Sequence, residues 1–108
     1  MEDGDSTGEG RSYWLDLFSA KTWAEFVAAG QTVSGFREGR CRSVNRMRVG
    51  DYLICYLTGA SRFIGILEVT SAPYRDETPI WQDEAFPCRV HVRSVGHFFH
   101  DYLPPFRR

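Results

Sequence analysis

Apolar and polar positions in this chain fall into short runs of two different periods. Tyr13 to Phe18 (YWLDLF) alternates weakly and is rich in β-forming residues, which predicts a strand. Ser19 then offers an N-cap to a short helix over Ala20 to Ala29, closed by Gly30, with Trp23, Phe26 and Val27 on its buried face. Gln31 to Phe36 (QTVSGF) predicts a second strand. The next segment, REGRCRSVNRMRVGD from Arg37 to Asp51, is too polar for core and carries only a brief helical possibility near Ser43 to Met47. Asp51 to Thr58 and Arg62 to Thr70 are rich in Ile, Leu, Val, Tyr and Phe and flank Gly59-Ala60-Ser61, a hairpin by length and composition. Arg89 to Val95 alternates strictly: Val90, Val92 and Val95 are apolar, with Arg89, His91 and Arg93 opposite the first two.

Five or six short strands with one or two helices imply a small α+β domain whose strongly curved mixed sheet closes into a β-barrel and so removes its edges. Trp14, Trp23, Phe26, Tyr52, Tyr56 and Phe63 occupy positions that turn inward and are assigned to the core. Residues 1–11 (MEDGDSTGEGR) are polar, Gly-rich and aperiodic and read as a disordered leader. Residues 12–96 form the domain, and residues 97–108 read as a C-terminal extension or the start of a linker to something further on.

Charge refines this division. The chain has 108 residues and a formal net charge of -1, yet Glu2, Asp3, Asp5 and Glu9 all lie in the leader, and all thirteen basic residues lie at or after Arg11. Beyond the first ten residues thirteen basic face ten acidic residues, a net +3, and Arg37, Arg40, Arg42, Arg46 and Arg48 concentrate that charge in one segment, as a surface for a polyanion requires. Cys41, Cys55 and Cys88 are odd in number and widely spaced, so neither a disulfide frame nor a zinc site is signalled, and a reduced, cytoplasmic setting follows. No run approaches the roughly 20 apolar residues that span a bilayer. His97, His100 and Asp101 lack a third well-placed ligand, and no phosphate loop, nucleophile elbow or paired base is present. The expectation is a non-enzyme with no cofactor and no metal.

Between the hairpin and the last strand, a polar loop carries Trp81 and Phe86, five residues apart among Asp76, Glu77, Asp83 and Glu84. Aromatics on a loop that follows a rigid sheet suit a flat ligand such as a nucleobase. Trp81 as a lid folded back on the barrel, and Phe86 as a strand-end core residue, are the structural alternatives.

The order of YWL strand, Trp-containing helix, SGFREG turn, basic loop, GDYLICY strand, FIGILEV strand and PIWQDEAFPCRVHV closely resembles the EVE domain, a PUA-like relative of the YTH domain. The resemblance covers about Tyr13 to Val95 and implies a barrel-like fold whose pocket accepts a modified base. In YTH domains an aromatic cage encloses the methyl group of N6-methyladenine, and carried over residue by residue its walls fall on Trp81, Phe86 and Phe36. Ser34 and Gly35 become candidates for contacts to the base edge. Asp16, which interrupts YWLDLF, is a candidate acceptor for an exocyclic amine. Arg37, Arg40, Arg42, Arg46, Arg48 and Arg89 become candidate phosphate contacts.

EVE domains in bacteria are often joined to nuclease domains that seek 5-methylcytosine or 5-hydroxymethylcytosine. The resemblance therefore implies a base-flipping reader of modified DNA, with N6-methyladenine also open, serving as the specificity part of a restriction system and fused to or partnered with an effector. A PUA-like RNA-binding accessory domain is the second reading. An ASCH-type small-molecule or hydrolytic domain is the third, and it is opposed by the placement of Lys21, the only lysine, at the start of the predicted helix and away from the pocket.

Overall fold

The computed structural model describes residues 10–97, so most of the leader and of the C-terminal extension, including His100 and Asp101, lies outside the described residues. Six strands form: β1 (Tyr13–Phe18), β2 (Val33–Phe36), β3 (Tyr52–Leu57), β4 (Arg62–Val69), β5 (Tyr74–Arg75) and β6 (Cys88–His97). Helix α1 (Ala20–Ala28) and the single turn α2 (Cys41–Val44) join them, α2 preceded by a 3-10 turn at Glu38–Arg40. Ser19 caps α1 reciprocally: its Oγ accepts from the Thr22 amide at 3.1 Å while the Ser19 amide donates to Thr22 Oγ1 at 2.8 Å. Gly30, at φ +104°, ends the helix.

The strand order is β1-β3-β4-β6-β2, with β5 also on β6. Only β1 and β3 run parallel among these pairs; the others are antiparallel. Strand β6 does the bending: Val92 to His97 pairs with β4, and Cys88 to His91 pairs with β2. One strand thus serves two stretches of sheet, and register shifts at Cys55/Tyr56 and Ile66/Leu67 add local twist. The mixed α+β fold is as expected, but the sheet is a curled half-barrel with β1 and β2 as its two ends. A buried hydrogen bond joins those ends across the interior, Ser34 Oγ donating to Asp16 Oδ2 at 2.5 Å.

Phe18, Phe26, Leu53, Leu67, Val69, Val90 and Val92 build the core. The 37–51 segment is not excluded from it: the α2 turn and the residues after it send Val44 and Met47 inward, because one helical turn suffices to give a polar run an apolar face. Val27, expected on the buried face of α1, is exposed instead. Phe63, also expected in the core, is 46 % exposed, and Tyr52 and Tyr56 are half-buried on the outer face with it. Tyr56 and Phe63 are cross-strand partners whose rings meet edge-on at 4.9 Å, so alternation was right about their shared face and silent about which face that was.

Cys41 and Cys88 form a disulfide with Cα atoms 5.4 Å apart, contrary to the expectation of three unpaired thiols. Their 47-residue separation carries no motif; α2 packing on β6 is what brings them together. Cys55 stays free and buried.

One buried carboxylate organises the entry to β1 and β3. Asp51 Oδ1 accepts from the Ser12 amide at 2.9 Å, and Oδ2 accepts from Trp14 Nε1 and from the Arg48 amide, both at 2.9 Å. Gly50, at φ +97°, makes the turn that presents Asp51 to these donors. Asp51→Ala strands three donors at a buried site and is expected to cost about 3–5 kcal/mol. Urea unfolding measures this, and a loss below about 1 kcal/mol would show that the carboxylate is not the anchor.

Candidate functional site

Strands β1 and β3 are parallel and both end near the same point, at Phe18 and Leu57. Past those carboxyl ends opens a cavity of about 650 Å³, bounded by Phe18 to Thr22, the turn after β2 from Gly35 to Arg40, Thr58, and the loop residues Trp81 to Phe86. That size suits a small-molecule or base-sized ligand, and the ends of parallel strands are a usual place for one.

Of the expected aromatic walls, Phe36, Trp81 and Phe86 all line this cavity. Trp81 is 4 % exposed, fixed by its indole N–H donating to the Thr22 carbonyl at 3.2 Å. Phe86 meets it edge-to-face, with centroids 5.3 Å apart and planes at 85°. The two rings form a right-angled corner, so a flat ligand stacked on one meets the other edge-on.

Gly35 makes that corner possible. A Cβ there would lie 2.7 Å from Trp81 Cζ3 and 2.8 Å from the Phe86 carbonyl oxygen, closer than atoms tolerate. Both loop aromatics are therefore seated directly on the β2 backbone.

Arg89, expected to hold phosphate, is instead 1 % exposed. Its Nε donates to the Phe86 carbonyl at 3.0 Å, and its Nη2 donates to the carbonyls of Thr78 at 2.7 Å and Ala85 at 2.9 Å. The guanidinium also faces the Trp81 ring at 5.5 Å. Alternation set Arg89 opposite the buried valines, but the loop folds over that face of β6 and encloses it. Phe86 itself adopts φ +46°, a left-handed backbone that a bulky residue rarely takes, and the Arg89 bond to its carbonyl helps to hold it there.

Asp16 and Ser34 are the other two corrections. Both are buried beneath the cavity and neither lines it, because they bond to each other across the half-barrel. Burial raises the Asp16 carboxyl from its ordinary 3.8 to about 7, opposed by the Ser34 hydrogen bond and the nearby Arg40 charge. Burial, and then Asp16, likewise push the Cys55 thiol up.

The basic segment divides. Arg37 and Arg40 line the cavity, whereas Arg46 and Arg48 line a separate notch and Arg42 lines neither. Arg37 is committed to Glu84 of the loop, through Nε and Nη2 at 2.8 Å each, with its guanidinium 5.9 Å from the Phe86 ring. Arg40 has no ion-pair partner among the described residues. Lys21 is not remote from the pocket, as expected, but reaches the loop, bonding Gln82 Oε1 at 2.8 Å and Asp83 at 3.1 Å. The rear wall, Leu17 to Thr22 and Thr58, was not anticipated; only the convergence of two strand ends reveals it. Glu38, Cys41 and Cys88 also cluster, but the Glu38 carboxylate is held by Arg75 at 2.6 and 3.0 Å and the two sulfurs are bonded to each other, so this donor set does not suit a metal.

The family model of the EVE domain matches residues 12–103, and the chain belongs to that family. A UPF0310 protein of Pyrococcus abyssi is 31 % identical over 96 residues, covering 78 % of this chain and 66 % of the relative. A UPF0310 protein of Pyrococcus horikoshii is 26 % identical over 98 residues with the same coverage, so the chain spans just under two thirds of the length of these relatives. Among solved structures, the Pho92 YTH domain in complex with m6A superposes with a TM-score of 0.66 at 19 % identity, covering 86 % of this chain and 62 % of that one. The Mmi1 YTH domain and RNA complex gives 0.61 at 16 % identity, covering 86 % and 64 %. A protein from Leishmania major gives 0.60 at 22 %, covering 82 % and 68 %. These likenesses establish a shared EVE and YTH fold.

Gly35→Ala forces Trp81 and Phe86 off β2 and is expected to cost about 1–3 kcal/mol by overpacking while moving the Trp81 indole N–H resonance. An unchanged resonance at unchanged stability would mean that the corner has slack. Asp16 gives a pH test with a definite sign. The native chain keeps this proton up to about pH 7, whereas an unfolded aspartate releases it near 3.8, so stability falls as pH rises through that window. Asp16→Asn removes the slope, and its stability relative to the parent is expected to grow by up to about 1.4 kcal/mol per pH unit between about pH 4 and 7. Urea midpoints across that range check it, and a difference that shrinks with pH contradicts the assignment.

Proposed function

We propose that this EVE domain is a non-catalytic module that reads a modified base in nucleic acid. The supporting observation is the cavity past the β1 and β3 ends, with Phe36 and the Trp81–Phe86 corner as walls and Arg40, which has no ion-pair partner among the described residues, in its lining. Extruding a base from a duplex costs a few kcal/mol, and stacking returns about 1–3 kcal/mol per aromatic, so two or three walls suffice. Arg40 then contributes affinity through a flanking phosphate without reading sequence.

The mark we favour is 5-methylcytosine or 5-hydroxymethylcytosine in flipped-out DNA, with the domain as the specificity part of a modification-dependent restriction protein in the cytoplasm, fused to or partnered with a nuclease or other effector. The Pho92 likeness favours a second reading, an N6-methyladenine reader of RNA, since that YTH domain is in complex with m6A. Both readings use the same corner.

Fluorescence anisotropy with matched DNA and RNA strands carrying no mark, either cytosine mark or N6-methyladenine separates them. Tightening for one mark is expected, and Phe86→Ala should weaken the marked strand by about tenfold or more while leaving the unmarked strand little changed. Phe86 is the sharper probe, because truncating the buried Trp81 also destabilises the fold. Charge reversal at Arg40 should weaken marked and unmarked strands alike. Equal binding of all strands by the parent protein would overturn the reader function.

A further inference from the structure

The second concavity, a notch of about 360 Å³, lies where the start of β1 meets the residues after α2. Ser12, Trp14, Asn45, Arg46, Met47 and Arg48 line it. Its framework is fixed by Asp51, whose carboxylate holds the backbone of Ser12 and Arg48 and the indole of Trp14 in one hydrogen-bonded set. Arg46, itself exposed, has its guanidinium 5.7 Å from the Trp14 ring centroid, which gives the fork a rigid aromatic neighbour.

Charge pairing is uneven across the molecule. Arg37, Arg75, Arg89, Arg93 and Lys21 each face a carboxylate within 4.0 Å. Arg46 and Arg48 have no ion-pair partner among the described residues, and neither do Arg11, Arg40, Arg42 and Arg62. Asp51 is the acid closest to hand, but both its oxygens are already taken by N–H donors, and two guanidinium charges outweigh its one. A concave surface with two guanidinium forks, one of them set against Trp14, a hydroxyl and an amide at Ser12 and Asn45, and an unneutralised positive charge matches the phosphodiester group.

We propose that this notch is a second nucleic-acid contact: it holds a backbone phosphate of the same strand whose base enters the pocket, a few nucleotides away, with Arg40 and Arg42 marking the path between. The inference rests on the base-reader assignment for its strand, but the notch has its own reporter. A strand gripped at two separated points is fixed in register, so the notch sets a minimum strand length and leaves the choice of base to the pocket.

The three tryptophan indoles report separately: Trp14 edges the notch, Trp81 walls the pocket, and Trp23 packs on the core as a control. Titrating the chain with an abasic deoxyribose-phosphate strand is expected to move the Trp14 indole N–H resonance while Trp23 and Trp81 stay in place. A marked trinucleotide should move Trp81 alone, and a long marked strand should move both. Arg46→Glu with Arg48→Glu should lower affinity for the long strand about tenfold and cut its salt slope by about 1, for the one lost phosphate contact, with no effect on the trinucleotide. The Arg46→Lys variant keeps the charge and should keep most of the affinity. A Trp14 resonance unmoved by both the abasic strand and the long marked strand, or equal losses for the long strand and the trinucleotide, overturns the notch. If Trp14 responds to the abasic strand while no marked nucleotide moves Trp81, the notch stands as a phosphodiester site and the base pocket falls.

Discussion

The aromatic loop depends on one buried cation. Between β5 and β6 the chain makes no strand or helix, yet it must place two aromatic rings with a fixed mutual angle. Arg89 supplies the missing order by donating to three loop carbonyls at once, which satisfies both the loop's unpaired acceptors and a charge that could not otherwise be enclosed. The Asp76 carboxylate, 3.8 Å from the guanidinium, balances the charge in part. Because β6 also bends the sheet, the residue that holds the loop is built into the strand that defines the curl. Loop and sheet are therefore positioned together.

A second constraint crosses the interior. The half-barrel has two ends, and without closure β1 and β2 would be free to separate. The Ser34–Asp16 bond links them at the price of a carboxyl group enclosed far from water, which responds by holding its proton to near neutrality. The same two strands carry Phe18 and Phe36 into the cavity wall, so the width of the pocket is set partly by this bond. The disulfide between Cys41 and Cys88 acts from the other side, tying the turn that carries Arg37 and Arg40 to the strand that follows Phe86.

Period made the main elements legible: β1, α1, the β3–β4 hairpin and β6 all fall close to where alternation, capping and turn residues place them. Period could not say which face of β3 and β4 is enclosed, since Tyr52, Tyr56 and Phe63 are as apolar as the residues that pack inside. Nor could it show that the irregular loop just before β6 folds back to enclose Arg89, or, across pairs tens of positions apart, that Lys21 reaches Gln82 and Asp83 and that Cys41 meets Cys88. Of the cavity lining, Trp81, Phe86 and Phe36 were legible because the EVE pattern carries them together, whereas Gly35, read as a contact to the base edge, is the seat of the two loop rings. Asp16 and Ser34 were misread for a common reason: a polar residue among apolar ones signals burial with a partner as readily as it signals a ligand.

The arginine-rich segment shows how composition underdetermines function. Five arginines between positions 37 and 48 look equivalent in sequence, yet the fold gives them different work. Arg37 spends its charge on Glu84 and lies against Phe86, where with Lys21 and Asp83 it pins the loop from outside. Such exposed pairs contribute little to stability and weaken as salt rises, so the rim they form can yield to a ligand that stacks in the corner. Arg40, Arg42, Arg46 and Arg48 have no ion-pair partner among the described residues, and a charge without such a partner raises the local potential for an incoming polyanion. The segment therefore divides between building the mouth of the pocket and attracting what enters it, and the division is set by where the loop supplies a carboxylate and where it does not.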